Sequence, residues 1–285
     1  MERPIRVGLV GSGHWAEAMH GPTLAAGPET TLVGVWARDA GKATHLAHRL
    51  GTTAAPTFDD LLEGCEAVAF AVPPDVQADL AVRAATAGRA LLLEKPLALT
   101  VTDAERVAKA VRENGVVSQL VLTKRYHPRT RAFLAEAQRF QAIGARGAYL
   151  HGGFLDGPFA TGWRQRHGAL LDLGPHLLDL VEAALGKIDK IDRHGDPRRW
   201  LDLICTHDTG VSSQLALSGA VGIERSKAGL ELYGRAGTVE IDFATVDHQE
   251  CWPVMRAEFA HAVRSNEPHP LDAEHGLRLQ HLLSC

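Results

Sequence analysis

At 285 residues the chain has room for one large domain or two of ordinary size, and 45% hydrophobic with 22% charged residues lets it bury a core without staples. A formal charge of -4 and the lack of any polybasic run exclude the clustered basic surface that nucleic acid requires. No apolar run is long enough to span a bilayer, the opening residues show no signal-peptide pattern, and Cys65, Cys205, Cys251 and Cys285 are scattered without a C-x-x-C pair. The expectation is a cytoplasmic protein with reduced thiols, no membrane partner and no metal site.

Continuous apolar runs at 5–10, 32–36, 67–72, 90–93 and 116–122 predict strands covered on both faces. Helical patterns lie between them, among them 76–87 and 104–112, the second opened by Thr102-Asp103-Ala104-Glu105 as a capping box. Strand and helix in alternation mean βαβ units in a doubly wound parallel sheet. After Lys124 the pattern changes to a helix at 129–141, an apolar run at 148–154 and a helix at 174–185. Short strands at 200–206, 211–217, 230–233 and 238–241 follow, joined by Asp208-Thr209-Gly210 and Gly234-Arg235-Ala236-Gly237, and a helix at 253–264 comes last. The fold class is therefore α/β: a doubly wound domain over 1–123, then an α+β domain over 124–285 with a mostly antiparallel open sheet.

Gly11-Ser12-Gly13-His14-Trp15-Ala16 follows the first strand directly and fits G-x-G-x-x-G/A. Gly11 permits the tight turn, Gly13 lets the backbone approach a pyrophosphate, and Ala16 lets helix and strand pack closely. The helix N-terminus adds amides and a partial positive charge for the phosphates. Glycine-rich turns are common, but this one opens a βαβ unit, which points to a Rossmann dinucleotide-binding domain. Beyond strand two, Ala37 stands where NAD-specific domains place the acid that binds the ribose 2′-hydroxyl, and Arg38 follows. Arginine pairs with a 2′-phosphate in bidentate fashion, which favours NADP over NAD. The other reading leaves Arg38 solvated and gives the ribose to Asp39.

Leu91-Leu92-Leu93-Glu94-Lys95-Pro96 sets Lys95 at the carboxyl end of a buried strand, where open α/β sheets bind ligands. Together with the glycine loop, this segment resembles the Gfo/Idh/MocA family of oxidoreductases. The resemblance continues through Val72-Pro73-Pro74, Arg125-Tyr126-His127-Pro128 and Gly162-Trp163-Arg164. It ends in the run Gly168-Ala169-Leu170-Leu171-Asp172-Leu173-Gly174-Pro175-His176-Leu177-Leu178-Asp179. It implies a Rossmann domain, then an α/β domain whose open sheet forms an oligomer interface, hence a homodimer or homotetramer. It implies NADP or NAD as cofactor, and a sugar, polyol or similar small molecule whose alcohol or carbonyl carbon exchanges hydride. Lys95, Asp172 and His176 would surround that carbon. Cofactor contacts would come from Gly11, Ser12, Gly13, His14, Trp15, Ala37, Arg38, Val72, Pro73, Gln77, Glu94, Lys95 and Trp163. Gln77 stands where relatives often carry histidine, and Arg166-His167 replaces part of a glycine-rich run.

The chemistry suits these residue types. Histidine titrates near neutrality and can take or return the hydroxyl proton as hydride moves. Asp172 can orient that imidazole or hydrogen-bond the substrate hydroxyl, and Lys95 can stabilise negative charge on the reacting oxygen. Blander alternatives stand beside each role: His176 as a satisfied helix residue, Asp172 as a helix cap, Asp179 as an orienting partner or a solvated charge. Asp172 and His176 could begin a metal site but lack further ligands at telling spacings, and His45 and His48 read as surface residues. Two other functions compete, a non-catalytic dinucleotide sensor on the same fold and an imine or dihydrodiol reductase. Lys95 and His176 favour the enzyme.

Overall fold

The computed structural model describes residues 3–157 and 159–284. The chain begins with β1 (Ile5–Val10), a π-helical turn (Ala16–His20), α1 (Gly21–Ala25), β2 (Thr30–Trp36), α2 (Ala40–Arg49) and α3 (Phe58–Gly64). Next come β3 (Ala67–Phe70), α4 (Pro74–Thr86), β4 (Ala90–Leu93), α5 (Val101–Asn114) and β5 (Ser118–Leu120). A second stretch runs α6 (Pro128–Ala137), β6 (Ala142–Leu150), α7 (Gly162–Asp172), α8 (Gly174–Leu185), β7 (Ile188–Asp196) and β8 (Trp200–His207). It continues with β9 (Ser212–Ser218), β10 (Lys227–Gly234), β11 (Gly237–Asp242), α9 (Cys251–Ser265) and α10 (Ala273–Ser284).

The apolar runs of the first stretch form an all-parallel sheet in the order β2-β1-β3-β4-β5. Every residue of β3 and β4 is buried, as strands covered by helices on both faces require. Strand order reverses between β1 and β3, and at such a switch the loops leaving the two strands diverge and open a crevice. The helix after β4 is capped two residues earlier than the expected Thr102–Glu105 box. Thr100 is extended, its Oγ1 accepts the Asp103 N–H at 3.1 Å, and Thr102 already lies inside α5. A capping box does form at Thr57 and Asp60, where the Asp60 carboxylate accepts the Thr57 N–H at 3.0 Å.

Two compact units divide the chain, the first being Met1–Val121 with Trp252–Gln280 and the second Leu122–Cys251 with His281–Cys285. The expected split at 123 thus needs a correction, because 252–280 returns to the first unit. Its apolar face supplies the reason: Met255 and Phe259 are fully buried. The backbone joins as well, with Leu120 N–H donating to Leu271 O at 2.6 Å and Ala273 N–H to Ser118 Oγ at 3.0 Å. Arg256 adds Nε to Glu29 Oε2 and Nη1 to Thr23 O, both at 2.8 Å.

In the second unit the sheet order is β11-β10-β6-β9-β8-β7, antiparallel throughout except for the parallel pair β6/β9. Burial alternates along β8, so one face packs and the other is open. The packed face carries the helices. A Cβ on Gly147 of β6 would stand 2.9 Å from Leu215 and 3.2 Å from Leu177 of α8, so glycine lets that helix approach the sheet. Strand β7 escapes sequence reasoning because Ile188–Asp196 is mostly polar and buries only Ile188, the pattern of a sheet edge. Among the described residues no helix is long and apolar enough to cross a membrane.

Candidate active site

In the first unit the crevice is built by backbone. Gly11 leaves β1 with φ +122°, and a Cβ there would overlap the Ala71 carbonyl oxygen at the end of β3. Gly13 behaves differently, since a Cβ built on it meets no atom within 4 Å. The first glycine is demanded by the fold, whereas the second keeps open a space beside the start of a helix. Such a cradle fits the pyrophosphate of a dinucleotide. Ser12 and Trp15 are half-buried and His14 is exposed along the same turn. Val72 and Pro73 follow β3, and Pro73 is the residue before α4, which Pro74 opens. Ala37 and Arg38 follow β2, with Arg38 exposed. Asp39 caps α2, its Oδ1 accepting the Lys42 N–H at 3.0 Å.

Lys95 leaves β4 half-buried, on a loop stitched down by its neighbours. Gln77 is fully buried, and its Nε2 donates to the carbonyls of Glu94 at 2.8 Å and Leu97 at 3.1 Å. Its Oε1 accepts the Glu94 N–H at 2.8 Å. The side chain expected to meet the cofactor is thus committed to holding the Lys95 loop. Nothing in the spacing of the sequence announces that role.

In the second unit Asp172 and His176 flank the joint between α7 and α8 at Leu173. The helix bearing Asp172 breaks at Gly168, with φ 74° and ψ -167°, where a Cβ would overlap the Pro197 carbonyl. Asp172 is buried, one residue before Leu173, the N-cap residue of α8. Its Oδ2 accepts Arg164 Nε at 3.0 Å, and the same guanidinium lies 4.6 Å over the half-buried Trp163 ring. His176 is buried, with its ring 6.2 Å from that of Tyr149 on β6. Burial first, then the charge of Asp172, push the Tyr149 hydroxyl above the usual phenol range, so it stays protonated. Asp179, weighed as an orienting partner or a solvated charge, is almost wholly buried and pairs with Arg125, Nη1 to Oδ1 at 2.6 Å. Lys124 sets its ammonium 4.5 Å over Tyr149 and 4.2 Å over Phe243. Tyr149, Lys124 and the Arg164 pairing went unseen in the sequence because they join strand, turn and helix at separations without a period.

Lys95 belongs to the first unit, and Asp172, His176 and Trp163 to the second. Among the described residues no group of three or more His, Cys, Asp or Glu side chains could hold a metal ion. Cys65, Cys205 and Cys251 are buried free thiols, and Cys285 lies outside the described residues. Burial pushes Cys205 and Cys251 up to about 11, so neither is a thiolate near neutrality.

Comparison with known proteins agrees with this geometry. A family model described as "Oxidoreductase family, NAD-binding Rossmann fold" (GFO_IDH_MocA) matches residues 5–121. A dTDP-3,4-didehydro-2,6-dideoxy-alpha-D-glucose 3-reductase of Streptomyces violaceoruber is 31% identical over 275 residues, 90% of this chain and 78% of that protein. The scyllo-inositol 2-dehydrogenase (NAD(+)) of Bacillus subtilis is 27% identical over 203 residues, 68% of this chain and 58% of its own. Among solved structures, GenD2 from gentamicin A biosynthesis in complex with NAD superposes with a TM-score of 0.86 at 24% identity, covering 100% of this chain and 93% of that one. The glycine cradle, the parallel sheet and a relative matched along most of its length agree, and the chain belongs to the Gfo/Idh/MocA family of NAD(P)-dependent oxidoreductases.

Proposed function

We propose that the enzyme moves hydride between NADP(H) and a secondary alcohol or ketone carbon of a six-membered sugar or polyol ring. The observation that carries the reading is the buried Asp172, held by Arg164, on the same helical joint as His176. One similar protein is named for reducing a dTDP-linked didehydro-dideoxy glucose and another for dehydrogenating scyllo-inositol, each a six-membered ring. Their activities also favour an enzyme over a dinucleotide sensor.

The bound nicotinamide supplies the hydride acceptor or donor. His176 takes the hydroxyl proton in oxidation and returns it in reduction. Asp172, fixed by Arg164, hydrogen-bonds the substrate hydroxyl, and Lys95 stabilises negative charge on the reacting oxygen. Preference for NADP(H) follows from the ribose end. Asp39 has one carboxylate oxygen engaged in capping α2, which leaves the exposed Arg38 for the 2′-phosphate. Trp200, Ile204 and Tyr233 stand on the open face of the second sheet, and we assign that face to a homodimer or homotetramer. A cytoplasmic location suits the buried reduced thiols.

The test is a thermal-shift screen of NAD(H) and NADP(H), then turnover on cyclic polyols and nucleotide-activated sugars. Stabilisation by neither dinucleotide, or turnover confined to acyclic substrates, overturns the reading.

A further inference from the structure

The carboxylate of Glu94 is a meeting point of donors from three places in the first unit. Its Oε1 accepts the indole N–H of Trp15 at 2.6 Å and faces His20 Nε2 at 2.7 Å. Its Oε2 accepts the backbone N–H of Lys95 at 3.1 Å. Trp15 opens the helix after the glycine loop, and His20 is fully buried on the π-helical turn that continues it. A carboxylate this buried is costly unless its oxygens are hydrogen-bonded, and these three donors meet that need.

The tautomer follows from the surroundings. His20 Nδ1 is buried and makes no hydrogen bond among the described residues. A proton there would be stranded, so Nε2 carries it and donates to Glu94. The π-helical turn has a role in this, since widening the helix at 16–20 re-aims the side chains it carries. Trp252 packs against both donors, its ring 5.9 Å from that of Trp15 and 6.2 Å from that of His20. From the other side Gln77 fixes the Glu94 backbone.

We infer that Glu94, with His20 and Trp15, is a positioning unit that ties Lys95 to the helix of the glycine loop. A dinucleotide seated on that loop then also sets Lys95 in place. Trp15 and Glu94, expected as cofactor contacts, act through Lys95 instead. The inference rests on the reading of Lys95 given above, as a group that meets both cofactor and substrate.

A double-mutant cycle on dinucleotide affinity tests it, with NADPH and NADH as the probes and fluorescence titration as the readout. In the wild-type background Lys95→Met should weaken NADPH binding about tenfold, the range for a hydrogen bond from a charged group. In a His20→Phe or Glu94→Gln background the same change should cost about twofold or less, because Lys95 is already displaced. His20→Gln retains a donor at the reach of Nε2 and should restore the full penalty. If His20→Phe and Glu94→Gln fail to fold, Trp15→Phe carries the cycle by removing the indole N–H that Glu94 accepts. Additive losses, which a purely structural role would give, overturn the inference, as does a Lys95→Met protein with unchanged affinity. Failure of the underlying reading looks different, as wild-type protein that binds neither dinucleotide or as full turnover in Lys95→Met.

Discussion

The two units build their functional parts by different means. In the first, backbone builds the dinucleotide cradle: Gly11 turns where no side chain fits, Gly13 leaves space, and the sheet order sets both at the switch point. In the second, side chains assemble the site from remote places, with Arg164 reaching Asp172 past a helix break and Tyr149 approaching His176 from a strand. A backbone device is fixed by φ angles and spacing, so it is local. A side-chain device depends on the rotamers and packing around each group. Damage to the first should therefore abolish binding, and damage to the second should spare binding while chemistry fails.

The largest effect expected from that difference falls on turnover. His176→Ala should lower kcat by on the order of 10²–10⁴, as loss of a positioned acid/base does, while melting temperature and NADPH affinity stay near wild type. Asp172→Asn should fall in the same direction. Both variants turning over like wild type would remove the second unit from the chemistry.

What could be read from the sequence follows the same divide. The βαβ order, the glycine loop and the end of β4 were legible because strand burial and glycine spacing are periodic or contiguous. The Asp172–His176 run was visible only as a resemblance, and its geometry was not. Nothing local says that Arg164 turns back to Asp172, that Asp179 belongs to Arg125, or that Gln77 staples the Lys95 loop. Residues 252–280 were misassigned for a related reason. Helix periodicity marks an apolar face but not the sheet that will cover it. Strand β7 was missed because a polar edge carries no alternation.

Two glycine variants sharpen the contrast within the first unit. Gly13→Val should weaken NADPH binding on the order of a hundredfold, or about 2.7 kcal/mol, with little change in melting temperature, because its side chain enters open space. Gly11→Ala should instead lower the melting temperature, because φ +122° and the Ala71 carbonyl both oppose a Cβ. Titration of both beside thermal melts checks this. A stable Gly13→Val protein with wild-type affinity would refute the cradle. Of smaller size is the effect at the ribose, where Arg38→Ala should shift the NADPH/NADH affinity ratio about tenfold toward NADH. An unchanged ratio would hand the 2′ position to another residue.

The smallest effect tests where the C-terminal segment belongs. Arg256 holds Glu29 and the Thr23 carbonyl, so it fastens 252–280 to the first sheet. Burial alone would raise the Glu29 carboxyl, but the hydrogen bond and charge of Arg256, with further charge from Arg264, hold it below the usual range. A carboxylate depressed in the folded state stabilises the protein above its unfolded pKa of roughly 4.3 and loses that contribution as pH falls through the folded value. Arg256→Met should therefore cost about 1–2 kcal/mol near neutrality, from the charge-assisted hydrogen bond and the carbonyl left without its donor. At a pH low enough to protonate the carboxyl in the folded protein as well as the unfolded one, the Glu29 share should vanish, while the Thr23 share persists. Urea unfolding at the two pH values, with tryptophan emission as the probe, measures the difference. A penalty equal at both would mean that the ion pair adds nothing and that the Thr23 bond and the apolar packing at Met255 and Phe259 fasten the segment.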